Sequence, residues 1–146
     1  VYMKHVKGIV LSLTIVAFAF AGAIAITWAQ DTPALSGITA EDTHPNGCVD
    51  CHKITDDGND YRLNVSLTES GHPNIAAMVR TVPNDCGICH KAGTPLGATS
   101  NLSHRAHYAN ASENHFIAYY QGECLACHAL NTETGAMTVK SGPKNW

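Results

Sequence analysis

One five-residue pattern, Cys-x-x-Cys-His, occurs three times and uses every cysteine of the 146-residue chain. The copies are Cys48–His52 (motif 1), Cys86–His90 (motif 2) and Cys124–His128 (motif 3), and their first cysteines are 38 residues apart both times. Even spacing with no cysteine left over indicates one repeated chemical unit rather than three accidental matches. The rest of the fold must therefore form around three such units.

This pattern is the attachment signature of c-type haem. Two cysteines separated by two residues present both sulfurs from one tight turn to the two vinyl groups of a porphyrin, and the next residue then lies under the iron. We therefore expect three haem c groups, with His52, His90 and His128 as the proximal iron ligands. The six expected thioether cysteines are Cys48, Cys51, Cys86, Cys89, Cys124 and Cys127.

Three other roles for these cysteines fit the pattern less well. Zinc sites commonly join two Cys-x-x-Cys pairs, or one pair and two histidines, which leaves the histidine after each pair unexplained. A thioredoxin-like redox pair occurs once, within a β-α-β pattern, and disulfide pairing gives no reason for the histidine. Zinc is the main remaining alternative.

The first 29 residues have the pattern of an export signal. Lys4 and Lys7 precede the uncharged run 9–26, and small residues stand at the positions that favour cleavage before Gln30. We expect removal of this segment and a periplasmic or extracellular protein, because c-type haem is attached outside the cytoplasmic membrane. The alternative is an uncleaved membrane anchor, since 18 residues without a charge approach the length that spans a bilayer.

Residues 30–146 are expected to form a single trihaem domain. The sequence Pro-Asn-x-Cys-x-x-Cys-His-Lys occurs at motifs 1 and 2, and a constant offset further along aligns His72 with His107. The predicted repeat units are 44–81 and 82–119, with a partial third from 120. Apolar residues after position 30 come in short, broken runs, so the haems are expected to supply much of the core.

Regular secondary structure is predicted to be sparse, which gives a mostly irregular, haem-wrapped chain with a few short α-helices and little β. Alternating apolar residues predict a short strand over 61–68. The other predicted elements are helices at 74–79, 101–108 and 113–120, a turn at 56–60, a loop at 93–98 and an extended tail at 135–146.

The mature chain is predicted to be acidic. Removal of Lys4 and Lys7 leaves seven basic residues against 12 acidic ones. A negative net charge disfavours binding to nucleic acid. It fits a redox partner protein with a basic surface.

Five histidines remain for the distal side of the irons, once the three proximal residues and His5 are set aside. They are His44, His72, His104, His107 and His115. Three six-coordinate haems need three distal ligands. The best candidates are His72 and His107, which the repeat places equivalently, and His104, which lies three residues before His107 and so on the same side of a helix.

His44 and His115 are the alternative distal ligands. His44 is four residues before Cys48, too close to reach across its own haem, so it would serve another haem or another subunit. His115 would equally well hydrogen-bond a haem propionate. Met78 and Met137 are better explained as packing residues.

The ligand set indicates electron transfer rather than catalysis. Two imidazole ligands hold haem iron at a low reduction potential, whereas a methionine ligand raises it. Iron with both axial positions filled has no open site for a substrate, so the chain is not expected to be an enzyme.

Over residues 44–128 the chain resembles the small multihaem c-type cytochromes of anaerobic bacteria. The pair His104-x-x-His107 is similar to the pair with which tetrahaem cytochromes of the c-three class ligate two neighbouring haems. The resemblance implies a periplasmic or extracellular electron carrier that acts with redox partner proteins.

Two other functions are compatible with the same motifs. Protomers of extracellular cytochrome filaments are similarly small, and some of them ligate a haem with a histidine of the next copy. The other alternative is the subunit through which electrons enter a membrane redox enzyme. Multihaem nitrite reductases resemble the chain in their haem motifs but replace one proximal histidine with lysine, and no such replacement occurs here.

Overall fold

Residues 33–146 are described by the computed structural model of the chain. The predicted signal or anchor, residues 1–29, and His5 lie outside the described residues. Ala34–Trp146 forms one unit by its internal contacts. Within this part of the chain, no helix has both the length and the apolar character needed to cross a membrane.

The regular elements of residues 33–146 are short and are separated by turns. The α-helices are α1 (Cys48–Cys51), α2 (Leu63–Glu69), α3 (Thr99–Tyr108) and α4 (His115–Tyr120), and 3-10 helices span Asn84–Ile88 and Cys124–Ala126. The strands are β1 (Thr81–Val82), β2 (His128–Leu130), β3 (Met137–Val139) and β4 (Gly142–Pro143). They form two antiparallel pairs, β1 with β4 and β2 with β3.

Each Cys-x-x-Cys-His motif forms a helical turn. Motif 1 forms α1, and the two 3-10 helices include the first three residues of motifs 2 and 3. The backbone N–H of His52 donates to the carbonyl of Cys48 at 2.8 Å, and that of His90 donates to the carbonyl of Cys86 at 2.9 Å. This turn brings the first cysteine and the histidine of a motif to the same side of the backbone.

The predicted strand over 61–68 is wrong, because Leu63–Glu69 is the helix α2. Leu63 and Leu67 alternate with polar residues, but they are also four residues apart, which places them on one face of a helix. Both leucines pack against the buried apolar cluster. Their spacing in the sequence therefore fits one buried face of a helix as well as one face of a strand. A short apolar run fits the repeat of both a strand and a helix, so it cannot distinguish the two.

The other predicted elements vary in outcome. The helix predicted over 74–79 is only a turn, in which the N–H groups of Met78 and Val79 donate to the Ile75 carbonyl at 3.1 and 3.0 Å. The two later helices are confirmed as α3 and α4 with shifted ends. The turn at 56–60, the loop at 93–98 and the extended tail are also confirmed.

The apolar core of the described residues is small. One buried cluster contains Val49, Ile75, Val79 and Val82, and Leu63, Leu67 and Trp146 pack against it. Many large apolar side chains lie at the surface, among them Ile54, Tyr61, Ile88, Leu96, Tyr108 and Val139. The polypeptide by itself therefore leaves much of its large apolar surface in contact with water.

The C-terminal strap, residues 137–146, links distant parts of the fold. The Asn145 side-chain amide donates to the carbonyls of Val49 and His52 at 3.2 and 2.9 Å. The Ser141 hydroxyl donates to the Val82 carbonyl at 3.1 Å. The strap therefore fixes motif 1 against the buried cluster.

Gly142→Ala is expected to destabilise the fold by about 1–3 kcal/mol, because overpacking forces backbone shifts. A Cβ at Gly142 would lie 2.5 Å from Asn46 Cβ, 2.9 Å from Asn46 O and 3.0 Å from Val49 Cγ2. Thermal unfolding of the two proteins measures the difference. Gly87→Ala is the matched control, since a Cβ there meets nothing within 4 Å. Equal losses for both variants would contradict the close packing of the strap.

Candidate haem-ligand site

Each proximal histidine of the three motifs lies against a different histidine from elsewhere in the chain. The ring centres of His72 and His90 are 5.8 Å apart, and their Nε2 atoms are 3.5 Å apart. The other two pairs are His52 with His107, whose ring centres are 6.0 Å apart, and His104 with His128, also at 6.0 Å.

This spacing fits two imidazoles on opposite sides of one metal ion. A bond from an imidazole nitrogen to a metal is about 2 Å long. Two such ligands therefore have nitrogens about 4 Å apart and ring centres roughly 6 Å apart. The 3.5 Å between the Nε2 atoms of His72 and His90 is slightly shorter than this separation. Each pair thus has close to the spacing that a bis-histidine iron requires.

Backbone carbonyls orient four of these six rings. The Nδ1 atoms of His52 and His90 donate to the carbonyls of Tyr61 and Leu96, both at 3.2 Å. His72 Nδ1 donates to the Pro73 carbonyl at 2.7 Å, and His107 Nδ1 to the Ser103 carbonyl at 2.8 Å. Because a carbonyl only accepts, Nδ1 carries the proton, and Nε2 keeps a free lone pair for a metal. Such contacts are typical of the partners that orient metal-binding histidines.

The third pair differs in this respect. His128 Nδ1 is buried, and within the described residues it has no hydrogen-bond partner. The rings of His104 and His128 are nearly parallel, with 9° between their planes. Within the described residues, a carbonyl contact therefore does not orient the His128 ring.

Helix α3 connects the three motifs. Its residues His104 and His107 face the proximal histidines of motifs 3 and 1. At its start, the backbone N–H and the hydroxyl of Thr99 both donate to the His90 carbonyl of motif 2 at 3.2 Å. One ten-residue helix therefore contacts all three motifs.

The pairs cross between the predicted repeat units. His72 follows motif 1 in the sequence but faces His90 of motif 2. His107 follows motif 2 but faces His52 of motif 1. The structure thus brings His72, His104 and His107 to three different motifs, and in each case the partner lies in another unit.

His44 and His115 are placed differently. His44 Nδ1 lies 2.9 Å from the Thr43 hydroxyl. The exposed ring of His115 packs on Tyr119, with 4.3 Å between ring centres. Within the described part of the chain, neither ring pairs with a proximal histidine, and Met78 and Met137 are exposed.

Burial and neighbouring cysteines raise the pKa of both thiols of motif 1. All six cysteines are free of disulfides. Burial raises the pKa of the Cys48 thiol to about 11, with further contributions from the charges that Cys127, Cys86 and Cys51 would carry. Burial also raises the pKa of Cys51, and Cys127 again adds to the shift. A negative charge at Cys127 would therefore raise the pKa of both cysteines of motif 1.

Electrostatics also favour the metal-binding form of His52. Burial is the main cause that lowers its pKa; the hydrogen bond to the Tyr61 carbonyl opposes this shift, and the nearby His107 adds to it. The net lowering favours the neutral imidazole. The neutral ring is the form that binds a metal.

Lys140 is a site residue that the sequence pattern does not reveal. Its Nζ donates to Asp42 Oδ1 at 2.7 Å and to the Leu125 carbonyl, inside motif 3, at 2.6 Å. Burial raises the pKa of Cys127, while the charge of Lys140 acts in the opposite direction. Nothing in the local sequence distinguishes this lysine from Lys144.

Among residues 33–146, no group of three or more His, Cys, Asp or Glu side chains is arranged to hold a metal ion. A haem iron takes only two axial ligands from the protein, and the described histidines come in pairs. Comparisons with protein-family models, curated proteins and solved structures find no match to this chain.

Proposed function

We propose that the chain is a trihaem c-type cytochrome that transfers electrons as a periplasmic or extracellular carrier, and that it is not an enzyme. The observation that carries the proposal is the one-to-one pairing of three proximal with three distal histidines. A haem-binding chain needs this arrangement, and incidental surface histidines have no reason to form it.

The residues divide into three sets, each with two thioether cysteines and two axial histidines. Motif 1 would hold its haem with Cys48, Cys51, His52 and His107. Motif 2 would use Cys86, Cys89, His90 and His72, and motif 3 would use Cys124, Cys127, His128 and His104. Haem iron supplies reversible one-electron chemistry, and two histidines per iron leave no axial position for a substrate.

The exposed apolar side chains support a large apolar cofactor. Ile54 and Tyr61 lie close to His52, and Tyr61 is the residue whose carbonyl accepts from that ring. Leu96 is likewise the residue whose carbonyl accepts from His90, and Val139 lies opposite His128 in the β2–β3 pair. Each motif thus has at least one exposed apolar residue at or near its histidine in the chain or in the strand register, where a porphyrin would cover it and remove it from water.

Proximity of the sets supports transfer of electrons between them. His104 and His107 are three residues apart on α3, which places their side chains on one side of the helix. His107 faces the ring of His52 in motif 1, and His104 faces the ring of His128 in motif 3. The haems of motifs 1 and 3 would therefore be neighbours.

The pairing favours a discrete carrier over a filament that shares ligands. In residues 33–146, each proximal histidine already has a partner from its own chain. A ligand from a neighbouring copy is therefore not needed for six-coordination. Two alternatives remain. A measurement of size tests the filament, and carbon monoxide binding tests the subunit of a membrane enzyme.

The test is export of the full chain in a bacterium that attaches c-type haem, followed by intact mass and redox titration. We expect three covalent haems, uptake of three electrons per chain, wholly low-spin spectra and no carbon monoxide binding after reduction. The variant with Cys86→Ala and Cys89→Ala is the control and should lose one haem and one electron.

Several outcomes would overturn the proposal. A bare polypeptide mass, or zinc in place of haem, would refute the cofactor. Carbon monoxide binding by the wild-type protein would refute the bis-histidine carrier. Filaments in negative-stain images, instead of a monomer at high concentration, would refute the discrete form.

A further inference from the structure

A buried cation lies at the attachment loop of motif 3. The side chain of Lys140 is 6% exposed, and its Nζ contacts the Leu125 carbonyl between the two cysteines of the motif. The backbone N–H of Lys140 donates to the Cys127 carbonyl at 2.9 Å. The ammonium group is therefore fixed against the loop that would carry the third haem.

The counter-ion of this lysine compensates its charge only in part. Asp42 Oδ1 lies 2.7 Å from Nζ, but the Asp42 side chain is 29% exposed. Water screens an exposed charge more than a buried one. At the buried loop, the Asp42 carboxylate therefore offsets the charge of Lys140 only in part.

Within or directly beside motifs 1 and 2, the half-buried charged side chain is acidic rather than basic. Asp50 lies within motif 1, and Asp85 directly precedes Cys86 of motif 2; both are half-buried and accept backbone N–H groups. The lysines beside these motifs, Lys53 and Lys91, are exposed. At motif 3 the corresponding acidic residue, Glu123, is exposed.

The proximal ring of motif 3 also differs from the other two. His52 Nδ1 and His90 Nδ1 donate to carbonyls, whereas the buried His128 Nδ1 has no partner among the described residues. A hydrogen bond from Nδ1 makes a histidine a more basic ligand. A more basic ligand favours the ferric iron. The absence of this hydrogen bond at His128 therefore favours the ferrous iron.

From these two independent features we infer that the motif 3 haem has the highest reduction potential of the three. The inference rests on the proposed function. Reduction adds one electron to the iron, and a nearby fixed cation stabilises the more negative state. An electron delivered by a one-electron redox partner, which is thereby oxidised, comes to rest at motif 3. Lys140 is a positioning and tuning residue in this scheme, not an iron ligand.

The test is a redox titration of the haem-loaded protein, followed by NMR signals assigned to each haem. In the wild type, the motif 3 haem should be reduced first. Lys140→Met should lower its ratio of reduced to oxidised iron at a fixed potential by roughly three- to tenfold, and Asp42→Asn should raise it. The reduction potential of the motif 2 haem should shift less in both variants.

Lys91→Met is the matched control. It removes the same charge beside His90, but from an exposed position. Solvent screening should keep the shift at the motif 2 haem below about twofold. If Lys140→Met fails to load haem, the wild-type order and Asp42→Asn still test the inference, since Asp42→Asn keeps the buried lysine.

The inference is overturned if another haem is reduced first in the wild type. It is also overturned if Lys140→Met and Asp42→Asn shift the reduction potential of the motif 3 haem in the same direction. Removal of opposite charges should shift the potential in opposite directions, whereas the effect of a structural disturbance does not depend on the sign of the charge. Three haems with a different order refute this inference alone. A chain that carries no haem refutes the proposed function.

Discussion

Without its haems, the chain is expected not to fold. Only six apolar residues of the described part are buried, and the largest side chain that is fully buried is Val82. Fixing each residue costs about 1–2 kcal/mol of conformational entropy, which a core of this size cannot offset. Three covalent porphyrins would cover the exposed apolar side chains and supply the missing buried surface.

The measurement compares circular dichroism melts of the exported, haem-loaded protein and of the same chain made in a reducing compartment without haem attachment. The loaded protein should show a cooperative transition, and the haem-free chain none. The Cys86→Ala and Cys89→Ala variant should fall between them. A cooperative melt of the haem-free chain, at a similar temperature, would show that the polypeptide needs no cofactor to fold.

The sequence predicts the local part of the candidate site. The Cys-x-x-Cys-His pattern predicts the motif turns, and an ordinary helical run predicts α3, which places His104 and His107 on one side. Both features depend on residues within a few positions of each other. Residues that are close together in the sequence are therefore enough to predict which histidines lie opposite the rings of His52, His90 and His128.

The partners of these histidines could not be predicted from the sequence. The repeat aligns His72 with His107, but alignment does not say that each would face the motif of the other unit. Such crossing depends on how the units pack. The burial of Lys140 likewise depends on the strap meeting Asp42, which is 98 residues away in the sequence.

Replacing any one of His72, His104 or His107 with alanine is expected to leave one haem five-coordinate. About one-third of the haem should become high-spin and bind carbon monoxide after reduction. The affected haem should be the one across the pair, so His107→Ala should alter motif 1 although His107 follows motif 2 in the sequence. Haem-resolved NMR and carbon monoxide titration measure both effects.

His44→Ala and His115→Ala are the controls, and both should remain fully low-spin. Arg105→Ala is a further control on α3, since alanine preserves the helix and Arg105 lies between the two ligands in the sequence. The variant that lacks both His104 and His107 should bind two carbon monoxide molecules per chain. If His44→Ala instead produced a high-spin haem, a distal ligand would come from the lead-in to motif 1, and the pairing of ligands within the chain would be wrong.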